Sequence, residues 1–216
     1  MIALKNVSIK FGDQPVFSGL DYSFAEGAIT AIRKMGVLDG GSTLLKCCAG
    51  IMVPTAGTIL YRGENLAQMS AHQRYRALCY CYESGGLVSL FTVYNNLAIP
   101  LLFHQVLEEH EIEPRIHAVA EQLGIESLLD LEPFQLNDVQ TRLVNLARAL
   151  VINADVVLID ELQTGMSAEM LASVVALLQA RAQQGASILM VTTDGHEDGF
   201  AHVHLAIRNR RLEPRL

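Results

Sequence analysis

Charge is scarce in this chain of 216 residues: Asp, Glu, Lys and Arg make up 18%, below the roughly one quarter usual for a soluble domain. That shortage points to surface covered by partners. A basic excess is also missing. The formal net charge is −7 and the isoelectric point about 5.5, so the electropositive face that a nucleic acid requires is not there. Arg208, Arg210, Arg211 and Arg215 form a small basic C-terminal tail, read as a solvated edge. Cysteine is limited to Cys47, Cys48, Cys79 and Cys81. Neither pair has zinc-finger spacing or a close His. All four lie in apolar stretches, as buried free thiols of a reducing compartment do. The longest apolar window, residues 97–103, is too short to span a bilayer. The N-terminal run MIALKNVSIKFG alternates like a strand, unlike a signal peptide. Work at a membrane therefore requires another chain to hold this one there. Internal repeats and low-complexity tracts are absent as well.

Apolar residues make up 50% of the chain, enough for a full core, and the length fits one domain over residues 1–216, with room for an insertion. Residues 2–11 and 15–24 read as strands separated by the Gly12-Asp13 turn, and 28–33 as a third. A glycine-bearing loop over residues 35–41 then leads into Ser42-Thr43 and an apolar helical run, the strand–loop–helix order of a phosphate-binding loop. Residues 57–62 and 77–82 read as strands and 70–76 as a short helix. Residues 93–132 read as helical, broken at Pro100 and Pro114. Residues 139–151 form a helix that Asn137-Asp138 can cap. Residues 155–160 and 187–192 are continuous apolar runs, as in buried parallel strands. A helix over 168–184 and a β segment over 203–212 complete the chain. The alternation predicts an α/β fold with a mainly parallel sheet, an N-terminal antiparallel β region and a helical subdomain over about residues 84–150.

An aromatic at Phe11, the loop before Ser42, the YCYES segment, the run from Gln140 to Leu150, VVLIDE at 156–161 and VTTD at 191–194 follow in a fixed order. In that order and spacing the chain resembles the ATPase subunits of ABC transporters over nearly its whole length. The segment GGLVSLFTVYNNLAIPL is similar to the corresponding stretch of bacterial ATPases that serve small-molecule or lipid-transport permeases, and the MCE-linked lipid-transport branch is the one favoured. The resemblance implies a P-loop NTPase core, ATP and Mg²⁺ as cofactors, a transmembrane permease as partner, a homo- or hetero-dimer with another ATPase subunit, and a place at the inner face of the cell membrane.

It also implies roles for particular residues. Phe11 would stack on adenine; Gly40, Gly41, Ser42 and Thr43 would cradle phosphate; Ser42, Asp160 and Glu83 would hold Mg²⁺. Glu161 would polarise the attacking water, Thr193 would touch the γ-phosphate, and Asn137 and Gln140 would belong to the signature that reaches across a dimer. Each has a plainer alternative. A Phe ending a strand suits a core, a strand ending in acids suits a structural edge, and Asn137 can serve only as a helix cap.

Several positions depart from the family pattern. A working loop reads G-x-x-x-x-G-K-[ST], but Gly41 stands where its Lys belongs, and Asp39 brings negative charge into the loop. The spacing from Gly27 implies one extra loop residue. The signature glycines are replaced in LNDVQ (136–140), a Thr stands at 193 where the family has His, and Ser167 stands for an Asp. Losing one charge-assisted hydrogen bond costs about 1.5–3 kcal/mol, and two missing donors in one site would slow turnover about 10⁴-fold if independent. The expectation is a degenerate cassette, scaffold or regulator, with weak or no hydrolysis. One alternative is an active ATPase in which Arg33 or Lys34 replaces the missing cation; another is a soluble regulatory binder unrelated to transport.

Overall fold

A computed structural model describes residues 1–36, 39–193 and 198–215. β1 (Ile2–Phe11) and β2 (Gln14–Ser23) form an antiparallel hairpin, and β4 (Ala56–Tyr61) and the short β5 (Glu64–Asn65) extend it in the order β2-β1-β4-β5. The buried side chains of β1 change phase, Ile2 and Leu4 before the middle, Val7 and Ile9 after it. A bulge at Asn6, whose φ is +49°, absorbs the extra residue and returns Val7 to the core face.

The larger sheet contains β10 (Arg211–Pro214), β9 (Val203–Arg208), β3 (Ile29–Arg33), β8 (Ser187–Thr192), β7 (Val156–Asp160) and β6 (Leu78–Cys81), in that spatial order. β10 runs antiparallel to β9, and all other neighbours are parallel. Every residue of β7 and β8 is buried, because helices or the small sheet cover both faces and leave no polar side. Alternation along β7 divides the core. Val157 and Ile159 join the cluster under α3 (Val93–Phe103), α4 (Glu109–Leu123), α5 (Asp138–Ile152) and α6 (Ala168–Gln183), while Val156 and Leu158 join the one shared with α1 (Gly41–Cys48) and the small sheet. The α/β architecture with a mainly parallel sheet, an antiparallel β region and a helical subdomain is the one expected. Among the described residues no helix is long and apolar enough to cross a membrane.

The reading of Pro100 and Pro114 as helix breaks is corrected. α3 runs through Pro100 and α4 through Pro114. Each proline removes one backbone donor, at a cost of about 3 kcal/mol, but buried Val93, Leu97 and Leu101 hold α3 in place, and Ile112, Ile116 and Val119 hold α4. The helical run instead stops at 104–108 and at Gly124, which caps α4 with φ +64°. The basic tail is corrected too: Arg215 is no solvated edge, because its guanidinium donates to Asp198 Oδ1 at 2.6 Å. The four cysteines are free; Cys47, Cys48 and Cys81 are buried and Cys79 half-buried.

Candidate functional site

The C-terminal ends of β3, β7 and β8 meet the N-terminus of α1, and the candidate residues collect there. Gly40 caps α1 with φ +87°, and a Cβ on it would lie 2.2 Å from Val16 Cγ1 and 2.9 Å from Phe17 Cε2. Glycine is therefore required for the loop to turn against β2. The turn places Ser42 on the first turn of α1, where its hydroxyl donates to Asp160 Oδ1 at 2.9 Å. The other Asp160 oxygen accepts from the Tyr80 hydroxyl at 2.7 Å, across the parallel β6–β7 pair. Burial, and then the Asp160 charge and hydrogen bond, push the Tyr80 phenol far above its ordinary range, so it stays a donor.

A hydroxyl and a carboxylate oxygen 2.9 Å apart are the kind of donor set a Mg²⁺ ion takes. Among the described residues no group of three His, Cys, Asp or Glu side chains gathers into a metal centre, so a cation here would lean on phosphate and water. Glu83 is exposed; its carbonyl accepts from Arg142 Nε at 3.0 Å.

Glu161 follows Asp160 with φ +49°, an uncommon backbone state for a non-glycine residue, and its N–H donates to Val191 O at 3.2 Å. Its carboxylate pairs with the Lys34 ammonium, both side chains being almost wholly buried. Arg33 turns elsewhere: its guanidinium reaches Asp198 Oδ2 at 3.1 Å. Of the two cations proposed to replace the missing lysine, the structure brings Lys34 to the acids and sends Arg33 to the β9 side. Burial pushes the Asp198 carboxyl up, but the hydrogen bond and charge of Arg215, with the charges of Arg33 and His204, outweigh it and hold the group below the usual carboxylate range.

Two backbone donors of the loop are engaged from within. The Asp39 carboxylate accepts from the Met35 N–H and, at 2.8 Å, from the Gly36 N–H. Backbone N–H groups that hold a carboxylate are chemically able to hold a phosphate oxygen, so these donors fit the anion the resemblance implies. The extra loop residue expected from the spacing, and Asp194 of VTTD, involve positions outside the described residues.

A cleft of about 1110 Å³ opens beside this loop, lined by Phe11, Lys34, Asp39, Gly41 and Thr43 among others. Phe11 is 53% exposed at its edge, which corrects the plainer reading of a core side chain and leaves its ring free to stack. Thr193 follows β8 and is half-buried. Asn137 and Gln140 do not line the cleft. They form a reciprocal cap at the start of α5, Asn137 Oδ1 accepting from the Gln140 N–H and Gln140 Oε1 from the Asn137 N–H, each at 2.9 Å. Ser167 caps α6 one way only, its hydroxyl oxygen accepting from the Met170 N–H at 3.2 Å.

Further along α5, Arg142 also donates to Thr164 O at 2.7 Å, Asn145 to Gly85 O at 2.8 Å and Arg148 to Gly86 O at 2.6 Å. Sequence reasoning gave no role to Tyr80, Asp198 or these three anchors, although Tyr80 lies in the YCYES segment and Arg142, Asn145 and Arg148 in the run from Gln140 to Leu150. Their pairings act across long sequence separations, which no local pattern specifies.

The family model described as ABC transporter matches residues 18–164. The chain is 28% identical over 182 residues to the intermembrane phospholipid transport system ATP-binding protein MlaF of Haemophilus influenzae, covering 83% of this chain and 69% of that one. The Escherichia coli K12 protein of the same name is 29% identical over 164 residues, covering 74% of this chain and 61% of its own length. The dimeric structure of the cassette MJ0796 superposes with a TM-score of 0.89 at 21% identity, over 99% of this chain and 97% of that one. At that identity the likeness speaks for the fold alone.

Proposed function

The chain belongs to the ABC transporter family, and from that premise we propose that it is a nucleotide-binding subunit that docks on a membrane permease and hydrolyses ATP weakly or not at all, as scaffold or regulator. The observation that carries this reading is the loop itself: Asp39 holds the N–H groups of Met35 and Gly36, and Gly41 offers no side chain at the lysine position. The names of the MlaF relatives favour a lipid as the transported substrate.

In the bound state Gly40, Gly41, Ser42 and Thr43 hold phosphate through the backbone at the start of α1, and Phe11 stacks on the base. Ser42 and Asp160 would hold the Mg²⁺, and Glu83 is assigned to it by the resemblance alone. Glu161 orients water and Thr193 donates towards the terminal phosphate. Bound Mg²⁺ supplies charge neutralisation of the phosphates. Asn137, Asp138 and Val139 face a second ATPase subunit, but the Asn137 oxygen is already engaged as a cap. The helical subdomain over about residues 84–150 meets the permease through exposed Val88, Leu90, Phe91, Leu102 and Phe103, at the inner face of the cell membrane.

The test is ATP turnover by the complex purified with its permease. The expected result is a rate equal to or only slightly above that of the Glu161→Gln complex. Rapid turnover that this substitution abolishes would overturn the proposal in favour of an active ATPase with a rearranged loop, the reading that the Lys34–Glu161 contact supports.

A further inference from the structure

Lys34 and Gly41 fit each other. A Cβ built on Gly41 would lie 3.1 Å from both Cγ and Cδ of Lys34, and 3.0 Å from Val191 Cγ1. The stem of Lys34 thus runs close against the space that a side chain at 41 would need, and with one there the stem has to give by a few tenths of an ångström. The ammonium that this path delivers sits on Glu161, next to Asp160, which Ser42 bonds at the start of α1. Glu161 and Asp160 are adjacent carboxylates at the end of β7, and the loop before α1 carries a third acid in Asp39, a charge balance that disfavours a phosphate unless a cation is delivered to it. Arg208 and Arg210 also line the cleft but are exposed, whereas the Lys34 side chain is almost wholly buried beside Glu161.

We infer that Lys34 supplies the phosphate-contacting ammonium of the loop, entering from the strand side instead of from the helix, and that Gly41 is the space that seats it. Its ligand is the β- and γ-phosphates of a nucleoside triphosphate, so the inference rests on the nucleotide-site reading above. It has a regulatory consequence. In the nucleotide-free chain Lys34 neutralises Glu161; when the ammonium leaves for phosphate, Glu161 loses its partner and gains freedom to act on water. Binding phosphate and unmasking the acid are one movement of one side chain.

The experiment is calorimetric titration of the purified chain with Mg-ATP, comparing the parent, Lys34→Met, Lys34→Arg and Lys34→Ala/Gly41→Lys, with thermal melts to confirm folding. Lys34→Met keeps the apolar stem and removes the charge. The expected result is binding about 10- to 100-fold weaker for Lys34→Met, retention by Lys34→Arg, and recovery when the lysine is moved to position 41. Parent-like affinity in a folded Lys34→Met chain overturns the inference and leaves the nucleotide site standing. So does a parent that fails to bind while Lys34→Ala/Gly41→Lys binds. If neither binds at millimolar nucleotide, the reading of the cleft as a nucleotide site falls, and the inference with it.

Discussion

Tyr80 and Ser42 hold the two oxygens of Asp160 from opposite sides, at 2.7 and 2.9 Å. The carboxylate that ends β7 is thereby fixed in rotation before any ligand arrives. Tyr80→Phe removes the only change in shape that matters, one hydroxyl, and leaves a buried carboxylate oxygen short of a donor. The expected loss is about 1–3 kcal/mol of stability, read as a lower urea midpoint with an unchanged slope. A midpoint equal to the parent's would show that another group takes over the donation.

Asp39 competes with phosphate for the N–H groups of Met35 and Gly36. Asp39→Ser removes the competitor and one negative charge, so Mg-ATP is expected to bind about tenfold more tightly, the value of one charge-assisted hydrogen bond offset in part by reordering. Titration with a fluorescent ATP analogue measures it, and an affinity no better than the parent's would refute the competition.

Asp198 ties Arg33 on β3 to Arg215 near the C-terminus. Its folded carboxyl lies below the ordinary value of 3.8, so its contribution is fully present above the unfolded value and is lost as pH falls through the lower folded one. Asp198→Asn removes this carboxylate from the partly buried guanidiniums of Arg33 and Arg215, a loss of about 1–3 kcal/mol at pH 7. Urea titrations at pH 7 and in acid check the sign: the gap between parent and variant should narrow below about pH 4. A gap that stays constant with pH would show that charge is not what Asp198 contributes.

The regular elements were legible in the sequence because their signals are local. β7 and β8 are nearly unbroken apolar runs of sheet length, and Asn137-Asp138 before an apolar helical run marks the start of α5. Pro100 and Pro114 misled for the converse reason: intrinsic propensity disfavours them in a helix, and only tertiary burial of Leu97, Leu101 and Ile116 outweighs it. At the site, Ser42 and Asp160 could be paired from the resemblance. The path of Lys34 over Gly41 could not, because an absent side chain at one position gains meaning only when the neighbour that fills it is in view. Arg215 read as solvated tail because its partner lies 17 residues away, beyond any local pattern.

Through Arg142, Asn145 and Arg148, α5 grips the carbonyls of Glu83, Gly85 and Gly86, while its own tip carries Asn137, Asp138 and Val139. Mechanically this is a rod with a bracket bolted to its side. Its 15 residues span about 22 Å, so a tilt of about ten degrees about the Ile152 end sweeps the tip through nearly 4 Å and drags the bracketed loop with it. Neither the loop nor the tip can be displaced alone without breaking hydrogen bonds. A force applied at one is delivered at the other as leverage.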